Sequence, residues 1–163
     1  MSFRNRYPIY PRPVRRTKYS NETFNITDTN DKPAHTYSPT AGVAIVNQAN
    51  ELGMRKAKNF NISLVNIWNI PLQYALVYVP QGTIPSQLNT GTIDNAASIY
   101  EPNQNVILSG LALPGVLVNK STRLARNLSS GDQIYLVFRP IYQSGDEAIQ
   151  GGISATINYS ITF

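Results

Sequence analysis

The stretch Ile153-Ser154-Ala155-Thr156-Ile157-Asn158-Tyr159-Ser160-Ile161-Thr162-Phe163 decides the fold class. Apolar side chains occupy every odd position, and hydroxyl or amide side chains every even one. A period of two sends the two sets to opposite sides of an extended chain, so this is a strand with one face on a core and the other on solvent. A last strand ending in Ile161 and Phe163 is expected to be pinned in a sheet, which leaves the amino end as the free one.

Working outward from that strand, the same short period recurs along the chain. Gly131 and Asp132 close a tight turn into a segment in which Ile134, Leu136 and Phe138 face one way. Phe60, Ile62 and Leu64 alternate with Asn59, Asn61 and Ser63 behind a basic entry of Arg55, Lys56 and Lys58. Leu72 to Val79 is apolar on both faces, as a central strand covered on both sides would be, and Pro80 stops it. In all, strands are predicted near 20–27, 41–47, 55–67, 72–80, 105–112, 116–125, 132–142 and 151–163. No long amphipathic helix competes with them; a short one is expected near 95–100, inside the turn-rich connection 81–103. Eight strands with irregular connections point to an all-β, eight-stranded jelly-roll β-sandwich.

Charge divides the chain in two. Residues 1–18 hold Arg4, Arg6, Arg12, Arg15, Arg16 and Lys18 and no acidic residue. Eight basic and nine acidic residues follow, so the body is near −1 and the arm's +6 accounts for the net +5. We therefore divide the chain into a basic amino-terminal arm, 1–18, and a shell domain, 19–163. A near-neutral body with a cationic tail suits a body that packs against protein and a tail that meets a polyanion. Pro8, Pro11 and Pro13 rule out a regular helix through the arm and favour an extended path of roughly 55 Å at about 3.1 Å per residue. Tyr7 and Tyr10 interleave with the arginines, and a cation for phosphate beside a ring for a base is the pairing that single-stranded nucleic acid rewards. Arg15, Arg16 and Lys18 also have the composition of a nuclear-import signal.

Enzyme chemistry finds little material. Without cysteine there is neither a disulfide framework nor a thiolate metal site, and the single histidine, His35, cannot make a histidine-pair site. No catalytic residue, metal ligand or cofactor is assigned. Asp146 and Glu147 are adjacent in a Gly-bounded loop, which reads as a solvated turn ahead of the alternative, a Ca²⁺ contact between subunits. Charged residues make up 14% of the chain, against about 25% in ordinary soluble domains, so surface polarity rests on Asn, Ser and Thr. No apolar run is long enough to span a membrane, and no signal peptide is read.

Three stretches carry a family resemblance: Glu51 to Leu64 (ELGMRKAKNFNISL), Tyr100 to Gly110 (YEPNQNVILSG) and Ser121 to Val137 (STRLARNLSSGDQIYLV). Together with the basic arm and terminal strand, they resemble the capsid proteins of circular, Rep-encoding single-stranded DNA viruses, the circovirus-like group. The resemblance implies a jelly roll and a T=1 icosahedral shell of about 60 copies. It also implies single-stranded DNA packaged against the arms, assembly inside a host cell and residence in the virion. By the same resemblance, Arg123 and Arg126 lie on or near the inner surface. The arm is shorter and poorer in arginine than in circoviruses. About sixty arms supply on the order of 360 positive charges against roughly 2,000 phosphates. A second internal patch drawn from Arg55, Lys56, Lys58, Lys120, Arg123, Arg126 and Arg139 is therefore expected, although alternation puts Lys120 and Arg126 on one face and Arg123 on the other.

The partners expected are further copies of the chain and single-stranded nucleic acid, with no membrane. Two alternatives stand beside the DNA capsid. One is a satellite-type capsid protein packaging single-stranded RNA. The other is a carbohydrate-binding β-sandwich in which Trp68, Tyr74, Tyr78, Tyr100 and Tyr142 stack on sugar rings.

Overall fold

The computed structural model describes residues 19–29, 41–49, 53–83, 105–141 and 151–162. The arm, His35, the expected helix near 95–100, Asp146, Glu147 and Phe163 lie outside the described residues. All eight expected strands form: β1 (Tyr19–Thr29), β2 (Ala41–Val46), β3 (Arg55–Asn66), β4 (Leu72–Val79), β5 (Val106–Ala112), β6 (Leu117–Leu128), β7 (Gln133–Pro140) and β8 (Gly152–Thr162). They make two antiparallel four-stranded sheets, ordered β1-β8-β3-β6 and β2-β7-β4-β5. Only β4 and β5 are neighbours both in sequence and in a sheet. Every other connection crosses from one sheet to the other or skips a strand, which is the double Greek key of a jelly roll.

Period-two segments face one another across the sandwich. Phe60, Ile62 and Leu64 of β3 with Ile153, Ala155, Ile157 and Ile161 of β8 meet Leu72, Tyr74 and Leu76 of β4 and Ile134, Leu136 and Phe138 of β7. Phe60 stacks on Tyr159 with centroids 5.9 Å apart, and Trp68 tilts against Phe138 at 6.0 Å. The Tyr159 hydroxyl donates to the Ile45 carbonyl at 3.3 Å, tying the sheets together across the core. Burial pushes its phenol pKa up, with the Glu22 carboxylate adding to the rise. On the outer side of the second sheet Ala75, Val77, Val79 and Val137 form a smaller buried cluster, so β4 is covered on both faces as its composition predicts.

Two departures from simple alternation shape the surface. Carried back from Phe60, strict alternation would turn Lys56 and Lys58 into the core. Asn59 instead takes φ 56°, the left-handed region, and the register of β3 slips there against both neighbours. Ala57 is therefore buried while Lys56 is exposed and Lys58 half-buried. The strain at one left-handed residue is roughly 1–3 kcal/mol, least for a short amide. Burying Phe60, Ile62 and Leu64 is worth about 1.5–3 kcal/mol each, so the core residues dictate the phase and the backbone yields.

The second departure is Asn66, a fully buried polar side chain at the β3–β4 corner. Its Nδ2 donates to the carbonyls of Ile70 at 2.7 Å and Ala112 at 3.1 Å, while its Oδ1 accepts from the Trp68 amide at 3.1 Å. One side chain thus hydrogen-bonds three backbone groups at the corner. Its own carbonyl accepts from the Gly115 amide at 2.8 Å, so the β5–β6 turn is held beside the same corner.

Candidate nucleic-acid interface

The outward face of the β1-β8-β3-β6 sheet is laid out in rows by the strand register. The first row is Tyr19, Thr162, Lys56 and Asn127; the second is Asn21, Ser160, Lys58 and Ala125. Thr23, Asn158, Asn61 and Ser121 follow, then Asn25, Thr156, Ser63 and Asn119, and finally Thr27, Ser154, Val65 and Leu117. The β1–β8 half is self-satisfied. Thr23 donates to Asn158 at 2.7 Å, Thr156 to Asn25 at 2.8 Å and Ser160 to Asn21 at 2.8 Å, as cross-strand pairs do.

The cations gather at the end of this face where β1 begins. Lys56 stands in the first row and Lys58 in the second, and the exposed Arg123 lies two positions before Ala125 along the same side of β6. The Lys58 ammonium lies over the Tyr19 ring at 3.7 Å from its centroid, a cation–π contact worth about 0.5–1 kcal/mol at an exposed site. Of the two carboxylates whose side chains are described, neither faces this surface. Glu22 lies on the core-side register opposite Tyr159, and Asp132 is buried.

The other body cations are dispersed. Lys120 and Arg126 lie opposite Ile62 and Ala57, on the core side of β6, as alternation predicts, so Arg123 and Arg126 are on opposite sides of the strand. Lys120 closes the open edge of the sandwich by donating to the Ser109 carbonyl of β5 at 2.7 Å. Arg126 reaches the Ala125 carbonyl at 3.4 Å and bears electrostatically on Tyr78. Arg55 donates to the Asn47 carbonyl at 3.1 Å, and Arg139 lies opposite Gln73 in the second sheet. The expected patch of seven therefore reduces to three residues on one face. Arg4, Arg6, Arg12, Arg15, Arg16, Lys18, Tyr7 and Tyr10 lie outside the described residues, but Lys18 adjoins Tyr19, the first residue of β1.

At the other end of the molecule the surface turns apolar. Ile67, Leu113, Val116 and Leu117 are each roughly half exposed. They share one tip, because Asn66 bridges to Pro114 and the Val116 amide donates to the Leu113 carbonyl. Sequence alternation could not find this patch, since these residues sit in turns and at a strand end.

Of the five rings expected to form a sugar-binding platform, the three that are described do not present one. Trp68 and Tyr74 are core residues, at 2% and 0% exposure. Tyr78 is engaged with Asp132, donating its hydroxyl at 2.8 Å. Burial, with the Asp132 carboxylate adding to it, pushes the Tyr78 phenol up to about 12. Asp132 also accepts from the amides of Gln81 at 3.1 Å and Ser129 at 2.7 Å, so its carboxylate closes the β6–β7 turn. Tyr100 and Tyr142 lie outside the described residues. No cluster of metal-ligating side chains occurs among the described residues.

No protein-family model matches the chain. No curated protein matches it. Among solved structures, the coat protein of Tobacco streak virus is similar over 86% of this chain and 86% of its own, at 11% identity and a TM-score of 0.40. A likeness that distant carries no weight on function.

Proposed function

We propose that this chain is a viral capsid protein, a structural rather than catalytic protein that closes a small icosahedral shell of about 60 copies around single-stranded DNA. The observation that carries the reading is one of connectivity: a jelly roll whose first strand begins at Tyr19 follows directly on an acid-free leader of six cations. That arrangement separates a protein-packing body from a polyanion-binding tail in one chain. The three resembling stretches support the same reading and point to the circovirus-like group and to DNA as cargo. In this reading the 1–18 arm enters the interior, where its arginines neutralise phosphate and Tyr7 and Tyr10 stack on bases. The half-exposed apolar tip supports contact between copies, since burying four such side chains contributes about 1 kcal/mol each, half the value for full burial. Assembly takes place in the host cell and the product is the virion.

The test is expression of the full chain followed by electron microscopy and sedimentation. The expected result is closed particles of about one megadalton. Their nucleic acid should resist added nuclease until the shell is opened, and then yield to deoxyribonuclease but not ribonuclease. A chain that stays at 18.1 kDa in every salt condition overturns the proposal.

A further inference from the structure

The structure assigns a second, folded nucleic-acid site to the sheet face beside the arm. We propose that Lys56, Lys58 and Arg123 bind consecutive phosphates of a single strand, so that the β1-β8-β3-β6 sheet turns its outward face to the cargo. This deepens the capsid reading and rests on it.

Four observations converge. The three side chains share one face and one end of the sheet, and neither described carboxylate lies there to compete with phosphate. Lys56 and Lys58 are two residues apart on a strand, which spaces their origins by about 6.7 Å, within reach of neighbouring phosphates on an extended chain. The cations are backed by neutral donors: Asn127 is in the same row as Lys56, and Asn61 and Ser121 are in the row beyond Arg123. Finally, Tyr19 is in the first row of the patch, so the six cations of the arm leave the fold from the same corner.

The backbone slip at Asn59 gives the site its form. Without it, Lys56 and Lys58 would share the side of Phe60; with it, both lysines stand outward above a complete core. Bulges that re-aim side chains are found beside functional surfaces. The Lys58 ammonium rests on Tyr19 at 3.7 Å, which holds it at the arm's root without neutralising it. The chemistry recognised is the phosphodiester backbone, common to DNA and RNA.

The experiment measures full-length chain binding to oligothymidylate and to oligouridylate by fluorescence anisotropy across a sodium chloride series. Each phosphate contact on a single strand adds about 0.7 to the slope of log K against log salt. Lys56→Ala/Lys58→Ala/Arg123→Ala should therefore flatten the slope by about 2, and Lys56→Ala alone by about 0.7. The charge-preserving Lys56→Arg/Lys58→Arg should keep the wild-type slope. An unchanged slope in a triple variant with the wild-type unfolding midpoint overturns the site, and so does a drop confined to one of the two polymers. Particles that close and enclose nucleic acid normally, with the slope unchanged, reject the site and leave the capsid reading standing. A chain that never closes into particles yet shows the drop rejects the capsid reading and keeps the site.

Discussion

Replacing Tyr74 with Phe should make this protein more stable. Tyr74 is wholly buried in the sandwich, and its hydroxyl finds no hydrogen-bond partner among the described residues. It points at Gly110, its register partner on β5, where even a methyl group would come within 2.5 Å of the oxygen. Burial accordingly pushes the phenol pKa upward, since the ionised form has nothing to stabilise it. An unsatisfied buried hydroxyl costs about 1–3 kcal/mol. Removing the oxygen leaves a void smaller than a methyl group, which costs less than about 1 kcal/mol. The net gain expected is about 1 kcal/mol. With a urea m-value near 2 kcal/mol/M, that raises the unfolding midpoint by about 0.5 M, and Tm by about 2–4 °C. Trp68, the single tryptophan, is buried against Phe138 and reports the transition by fluorescence on unassembled chain. A midpoint lowered by about 0.25 M or more at constant m would refute the reasoning, because it would mean that the hydroxyl makes a bond worth keeping.

Four further outcomes are expected. Asn66→Ala should cost about 3 kcal/mol or more in urea unfolding, since it strands the Ile70 and Ala112 carbonyls and the Trp68 amide in a buried corner. The stability that Tyr78 contributes should be complete below pH 10 and be lost between pH 10 and about 12. In that window the unfolded chain loses its tyrosine protons while the raised phenol of Tyr78 keeps its own, and in Tyr78→Phe the midpoint-against-pH slope should be shallower. Leu113→Asp/Val116→Asp should leave a folded chain of unchanged midpoint that no longer forms particles by electron microscopy, because the tip then carries charge into a contact between copies. Neutralising Arg4, Arg6, Arg12, Arg15 and Arg16 together should abolish packaging, read as the ratio of absorbance at 260 to 280 nm, while shells still form; nucleic-acid content equal to wild type would count against the arm as the packaging element.

The strands were legible in the order of residues, because a half-buried strand must alternate and a doubly covered one must be apolar throughout. Ile153 to Phe163 and Leu72 to Val79 show those two patterns, and Gly131 and Asp132 mark the turn that Asp132 closes. The partition of charge at Lys18 was equally plain, being a property of composition. Direction came only with packing. Alternation carried through β3 places Lys56 and Lys58 on the side of Phe60, and only the competition between core burial and one left-handed amide at Asn59 sends them outward. Trp68 and Tyr74 could equally have been surface rings until the opposite sheet covered them. Lys120 and Arg123 look alike in the sequence, yet one fastens the edge of the sandwich and the other stands on an open face, because a side chain's neighbours across a strand come from residues far away in the chain.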